Sequence, residues 1–225
     1  MVMTLQRALF ADRTDAGQRL AGRVVAAGVT DAIVYALPRG GVPVALEIAR
    51  ALDAPLDLVL VRKIGAPGQP ELALAAVVDG GFPQIVVNEA VQRMTGATPV
   101  YLAQEKALAL AEIERRRQLY FGNRTHPNPR GRTVILVDDG LATGATARVA
   151  VQQLRMRGAG RVVLAVPVVP GSSLETLRSE VDLLVCLAHP AEFRSVGAFY
   201  ADFHQLSDEE VLDQLAEAAR FGGGA

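Results

Sequence analysis

The sequence predicts an α/β fold with a parallel central sheet flanked by helices. Two observations carry this. Short apolar runs alternate with longer capped runs along most of the 225 residues. The apolar runs, among them residues 32–37, 133–137 and 161–166, show no polar alternation, as strands covered on both faces require. The length suits one compact domain, and 50% apolar residues can build its core.

The elements follow in order. Asp12 or Thr14 caps a helix running to Ala27, with Leu20, Val24 and Ala27 on one face. Residues 32–37 form a strand, the PRGG turn follows, and residues 42–52 form a helix. Residues 56–61 read as a second strand ended by Arg62 and Lys63. IGAPGQPE, residues 64–71, is too rich in Gly and Pro for regular structure. Residues 72–78 and 84–87 pair as a hairpin across DGGFP, where Asp79 is a turn residue. Residues 99–119 form a long charged helix with Glu112 and Arg116 as i,i+4 partners. Arg115, Arg116 and Arg117 read as its solvated end, complementing the helix dipole.

Residues 123–132 are a loop, 133–137 a strand and 145–157 a helix. Strand 161–166, helix 172–179 and strand 182–187 come next. Ser207 caps a last helix to Ala219, with Glu210 placed for a capping box, and residues 222–225 fray. The expected organisation is a single domain over 1–225. Within it, residues 64–131 are a flexible-loop and long-helix insertion, and 189–225 a small hood region with the C-terminal helix.

Composition narrows the function. Lys plus Arg number 23 and Asp plus Glu 24, a net charge of −1 without the basic excess of a duplex-binding protein. A small anionic ligand stays compatible, because converging backbone N–H groups bind anions locally. Cys186, the single cysteine, excludes an internal disulfide and reads as a buried inert thiol. His126, His189 and His204 lack metal-ligand spacing. The first fifteen residues lack the apolar core of a signal peptide, and no apolar run approaches the ~18 residues of a membrane span. The expectation is a soluble cytoplasmic protein with neither a nucleic-acid nor a membrane partner.

The chemistry concentrates in VILVDDGLATGAT, residues 134–146. A strand delivers Asp138 and Asp139 to its carboxyl end; small residues and two threonines then open a helix. That start is an anion cradle without the lysine of a Walker loop. Two acids beside a phosphate cradle suit a ligand carrying hydroxyls close to its phosphate, as ribose 5-phosphate does.

Four hydrophobics, two acids and G-x-x-T-G-x-T resemble the signature of type I phosphoribosyltransferases. RKIGAPGQPELALAAV, residues 62–77, and FYADFHQLSDEEV, residues 199–211, resemble a bacterial group of that family whose substrate is unassigned, so the likeness covers nearly the whole chain. The resemblance implies binding of 5-phosphoribosyl 1-diphosphate (PRPP). Asp138 and Asp139 would take the ribose hydroxyls, and Gly140, Ala142, Thr143, Gly144, Ala145 and Thr146 would complete the ribose and 5-phosphate site. Arg39, Gly40 and Lys63 would take the diphosphate, with a non-proline cis peptide between Arg39 and Gly40. Asp138, Asp139, Arg39 and Lys63 are the implied catalytic set. Mg²⁺ would arrive with the diphosphate, held by ligand oxygens and waters with no direct protein ligand.

The aromatics of 189–206 form the candidate base wall, with Phe193 as the base-binding residue, and an aromatic plug or dimer contact as the alternative. Residues 64–83 are the candidate lid. Purine, pyrimidine and amine acceptors all remain open, as in nucleotide salvage, and family members commonly form homodimers. Two other readings compete. One is a non-catalytic PRPP-binding regulatory protein, disfavoured by the near-zero charge and by retention of Arg39 and Lys63. The other is a hydrolase or nucleotide-sugar enzyme on the same fold.

Overall fold

In the computed structural model, residues 8–78, 84–122 and 126–222 are described. The first half of the chain runs α1 (Arg13–Ala26), β1 (Ala32–Ala36), α2 (Gly41–Leu52), β2 (Leu56–Leu58), β3 (Val61–Ala66), β4 (Gln69–Val78), β5 (Gln84–Val87), α3 (Glu89–Thr95) and α4 (Pro99–Phe121). The second half adds β6 (Thr133–Val137), α5 (Ala145–Met156), β7 (Arg161–Val168), α6 (Leu174–Glu180), β8 (Leu183–Ala188) and α7 (Asp208–Ala218).

Five strands form the main sheet in the order β2-β1-β6-β7-β8, every pairing parallel. Both faces are covered, which explains the unbroken apolar runs. Val34 and Ala36 of β1 pack in one cluster with Leu20 and Val24 of α1, Ile48 of α2 and Leu215 of α7. The alternate residues Ile33 and Tyr35 pack in another with Ala150 and Leu154 of α5 and Leu177 of α6. Caps fix the helix starts: Asp12 accepts from Asp15 N on α1, and Ser207 and Glu210 form a reciprocal capping box on α7.

The stretch after β2 departs from the sequence reading. Residues 56–61 are not one strand; the chain leaves the main sheet after Leu58 and enters a second, antiparallel sheet, β3-β4-β5. Nor are residues 64–71 irregular. β3 and β4 close a hairpin in which Ala66 pairs with Gln69 across Pro67 and Gly68. Gly68 sits at φ +71°, a backbone region glycine enters without the usual steric cost. Gly65 lies at a register shift, and a Cβ there would stand 2.4 Å from the Pro70 carbonyl oxygen. Glycine and proline build a tight bulged hairpin here, so the candidate lid is, over residues 64–78, a paired sheet segment. Residues 79–83, with the Asp79 turn reading, lie outside the described residues. β4 and β5 do pair antiparallel, as expected.

Three smaller corrections follow. Asn88 caps the short helix α3, which the sequence reading passed over. α4 continues to Phe121 with no basic residue in its last turn, so the arginine triplet is not its end. Arg115 and Arg116 instead both bond Glu112, whose carboxyl those hydrogen bonds hold down at about 2. The helix expected over 172–179 starts as a 3-10 turn, Gly171–Ser173, before α6. Residues 123–125 and 223–225, parts of the expected loop and tail, lie outside the described residues. No described helix is long and apolar enough to cross a membrane.

The topology positions the site. β1 leads through α2 to β2 on one side, while β6 leads through α5 to β7 on the other. The connections diverge from neighbouring carboxyl ends, and the crevice at such a switch point is where open α/β sheets take ligands.

Candidate active site

Two loops leave that crevice. Leu37 N donates to the Val137 carbonyl at 2.9 Å, holding the end of β1 against β6. The Pro38–Arg39 peptide is cis, one bond earlier than the Arg39–Gly40 bond expected. Gly40 and Gly41 then open α2 with no side-chain cap. A Cβ on Gly41 would lie 2.7 Å from the Val137 carbonyl oxygen, and one on Gly40 would lie 2.1 Å from Asp139 Oδ2. Both glycines are therefore required by close approach.

From β6 come Asp138 and Asp139. Gly144, at φ +71°, caps α5, so Ala145 and Thr146 stand at a helix start whose dipole favours an anion. Thr143 Oγ1 accepts from Ala145 N at 3.4 Å.

Arg13, Arg39, Lys63, Asp138, Asp139 and Thr146 meet around one cavity of about 470 Å³. Arg62 and Gly40 also line it. A second cavity of about 380 Å³ shares Lys63 and Thr146 and lies between the antiparallel sheet and α5. Arg39 reaches toward Asp208 at the start of α7, Nη1 to Oδ1 3.7 Å. Asp208 also accepts from the Tyr120 hydroxyl and faces Arg115.

The acid pair is electrostatically unusual. Desolvation and then repulsion from Asp139 push Asp138 well above the ordinary carboxylate range, against the pull of Lys63 and Arg13. Desolvation raises Asp139 too, opposed first by its hydrogen bond from Arg13. Asp138 Oδ1 accepts from Asp139 N at 2.9 Å, and the Tyr200 hydroxyl donates to the Asp139 carbonyl at 2.5 Å.

The aromatics of residues 189–206 divide between a packed cluster and the cavity. Phe193 packs on Phe199, ring centroids 5.3 Å apart, within a cluster that also holds Phe10 and Tyr200. It does not line the cavity; Phe203 does, with Gln205 and Leu206. Arg13 was missed as well, since nothing local in an amino-terminal helix marks it. Cys186 is half-buried, donates to the Ala188 carbonyl at 3.0 Å, and has its pKa pushed up by burial. Among the described residues, no three His, Cys, Asp or Glu gather as a metal cluster.

The phosphoribosyl transferase domain model matches residues 10–197. The chain belongs to the phosphoribosyltransferase family. Two curated Mycobacterium tuberculosis relatives, from strains H37Rv and CDC 1551, are each 44% identical over 212 residues. The match covers 94% of this chain and 47% of theirs, so the chain spans about half the length of these relatives. Their names mark the phosphoribosyltransferase assignment as provisional. The Thermus thermophilus protein TT1426, known from a crystal structure, is 42% identical with a TM-score of 0.78, over 92% of this chain and 98% of that one. The span matched to the phosphoribosyltransferase model contains Arg39, Lys63, residues 138–146 and Phe193 but stops before Phe203.

Proposed function

We propose that this phosphoribosyltransferase-family protein transfers phosphoribose from PRPP to a nitrogenous base, with Mg²⁺, releasing diphosphate. The observation that carries the reading is the juxtaposition at the β1/β6 switch point: two carboxylates, four cations and Thr146 of the helix-start anion cradle line one cavity. Its volume, about 470 Å³, falls within the range typical of small-molecule sites.

In this reading Asp138 and Asp139 accept from the ribose hydroxyls, and the backbone of residues 142–146 takes the 5-phosphate. Arg39, Gly40 and Lys63 receive the diphosphate. The anomeric C–O bond breaks with its electron pair leaving on the diphosphate, through an oxocarbenium-like transition state. A ring nitrogen of the base forms the new C–N bond and releases its proton to water. The protein contributes orientation, charge neutralisation and exclusion of bulk solvent.

Mg²⁺ fits as a guest of the diphosphate. Arg13 engages Asp139 Oδ2 and the Asp139 backbone N–H engages Asp138 Oδ1, and this reading gives the remaining oxygens to the ribose hydroxyls, so an ion arriving with the diphosphate would draw on diphosphate oxygens and water. When bound it neutralises charge on the leaving group. A cytoplasmic location, a role in nucleotide salvage and a homodimeric state belong to the same proposal.

Calorimetric titration of PRPP with Mg²⁺ tests it. Saturable binding, lost in an Asp138→Asn, Asp139→Asn double variant that remains folded, supports the site; no binding up to millimolar ligand rejects it. Diphosphate release is then screened over purines, pyrimidines and amines. Binding without release against every acceptor would give the regulatory reading instead.

The acceptor wall has its own prediction. Phe203→Ala should raise the KM for the base about tenfold, as loss of ~1.4 kcal/mol of stacking requires, with a smaller effect on PRPP. Phe193→Ala should leave both KM values near the parent's and lower the melting temperature, because it packs on Phe199. Initial-rate kinetics decide: equal effects of Phe203→Ala on both substrates would remove it from the acceptor wall.

A further inference from the structure

α1 contributes one side chain to the cavity, and it is held from three sides. Arg13 is only 8% exposed, and arginine is rarely buried without partners. Its Nε donates to Asp139 Oδ2 at 2.8 Å and its Nη1 to the His204 carbonyl at 2.9 Å. Its guanidinium carbon lies 3.8 Å from the Phe203 ring centroid, a stacked cation–π contact. One planar group thus joins the acid pair to the aromatic wall. Gly40 closes on the same carboxylate, since even a Cβ there would meet Oδ2 and Cγ. The Asp139 carboxylate is clamped between a cation and a bare backbone.

Building on the PRPP reading, we infer that Arg13 is a positioning residue: it holds the Asp139 carboxylate charged and in one orientation for the ribose hydroxyls, and ties that acid to the Phe203 wall so that the sugar and acceptor subsites are assembled together. Arg13 does this from outside the motif that supplies the acids.

The charged groups facing the pair are few. β3 brings Lys63 and Arg62, and the β1–α2 turn brings Arg39, but Arg39 is directed toward Asp208. Tyr200 reaches only the Asp139 carbonyl. The His204 ring is turned to Asp202 and Glu210, at 3.2 and 3.0 Å, and meets Arg13 only through its carbonyl. Arg13 is the cation in direct contact with an acid of the pair, and it opposes the desolvation that drives both acids toward protonation. Removing it moves their titration upward, so at neutral pH the pair holds more proton and accepts hydroxyl hydrogen bonds less well; raising the pH restores the charge.

The test compares the parent with Arg13→Met and Arg13→Lys by two measurements. In ligand-free protein, carboxyl carbon NMR should place the titration midpoint of the pair about one unit or more higher in Arg13→Met and near the parent's in Arg13→Lys. Calorimetry between about pH 6 and 9 should find PRPP affinity down about tenfold or more in Arg13→Met at neutral pH, recovering as pH rises, and largely restored in Arg13→Lys. A residue that merely packs α1 against the wall would lower affinity equally at every pH and leave the midpoint in place, and either result overturns the inference. A shifted midpoint in a protein whose parent binds no PRPP would keep the Asp139 clamp and sink the sugar-diphosphate reading alone.

Discussion

Asp138→Asn should weaken PRPP binding by about 10–100-fold and at the same time raise the melting temperature, whereas Asp139→Asn should lower both. The binding loss is that of a charge-assisted hydrogen bond to a hydroxyl, about 1.5–3 kcal/mol. The opposite stability signs come from the partners. Asp138 forms no ion pair among those of the described residues; its hydrogen bond is from Asp139 N, and its pKa stands well above the ordinary value. An acid raised in the folded state costs nothing below its unfolded pKa of about 4, and costs progressively more as pH rises through the folded value. At neutral pH the ligand-free fold therefore carries a penalty that the neutral amide removes, worth about 2–4 °C for each kcal/mol relieved. Asp139 differs because Arg13 rests on it. The amide would leave a buried guanidinium without its counter-charge, costing about 3 kcal/mol or more. Calorimetry and thermal melts on the two single variants check both signs, and equal shifts in melting temperature would contradict this account of the pair.

Gly40→Ala is expected to be as damaging to binding with a single methyl group. Gly40 has φ −58° and ψ −36°, helical values that alanine prefers, so conformational preference alone would make the change favourable. The obstacle is the Asp139 carboxylate, with Oδ2 at 2.1 Å and Cγ at 2.6 Å from the new Cβ. The carboxylate must leave its place, and the Arg13 hydrogen bond goes with it. PRPP affinity should fall about 100-fold or more, several kcal/mol by the usual conversion, while far-ultraviolet circular dichroism stays that of the parent. An alanine variant that binds as the parent does would mean that Asp139 is free to move without consequence for the ligand.

Legibility in the sequence followed the range of the forces involved. Four of the main strands, β1, β6, β7 and β8, were legible because a doubly covered strand is largely apolar, as Thr133–Val137 is after its first residue; β2, with Asp57 at its centre, was drawn too long. Asp138 and Asp139 were legible because the strand, the acids and the helix start are contiguous. The hairpin at Pro67 and Gly68 was misread, because the same residues that break regular structure also close tight turns, and only the register of β3 on β4 distinguishes the two. Arg13 was invisible for a different reason: its partners lie 126 and 191 residues away. That Phe203 lines the cavity while Phe193 packs on Phe199 is a matter of packing and not of spacing, and no sequence pattern separates the two rings.

The pairing of β1 with β6 has a last consequence. Ala36 sits opposite Val137 on adjacent parallel strands, and the two loops spring from the very next residues. Neighbouring strands stand about 4.8 Å apart by the geometry of the backbone ladder, which no side-chain substitution alters. The anchor points of the two loops are thus set by a gauge built into the main chain. Under the reading proposed here, ligands are sorted by span before they are sorted by chemistry. A sugar phosphate whose charged ends are set closer together or farther apart engages one loop and misses the other. Mutation can retune what each loop grips, while the separation it must grip across stays that of the sheet.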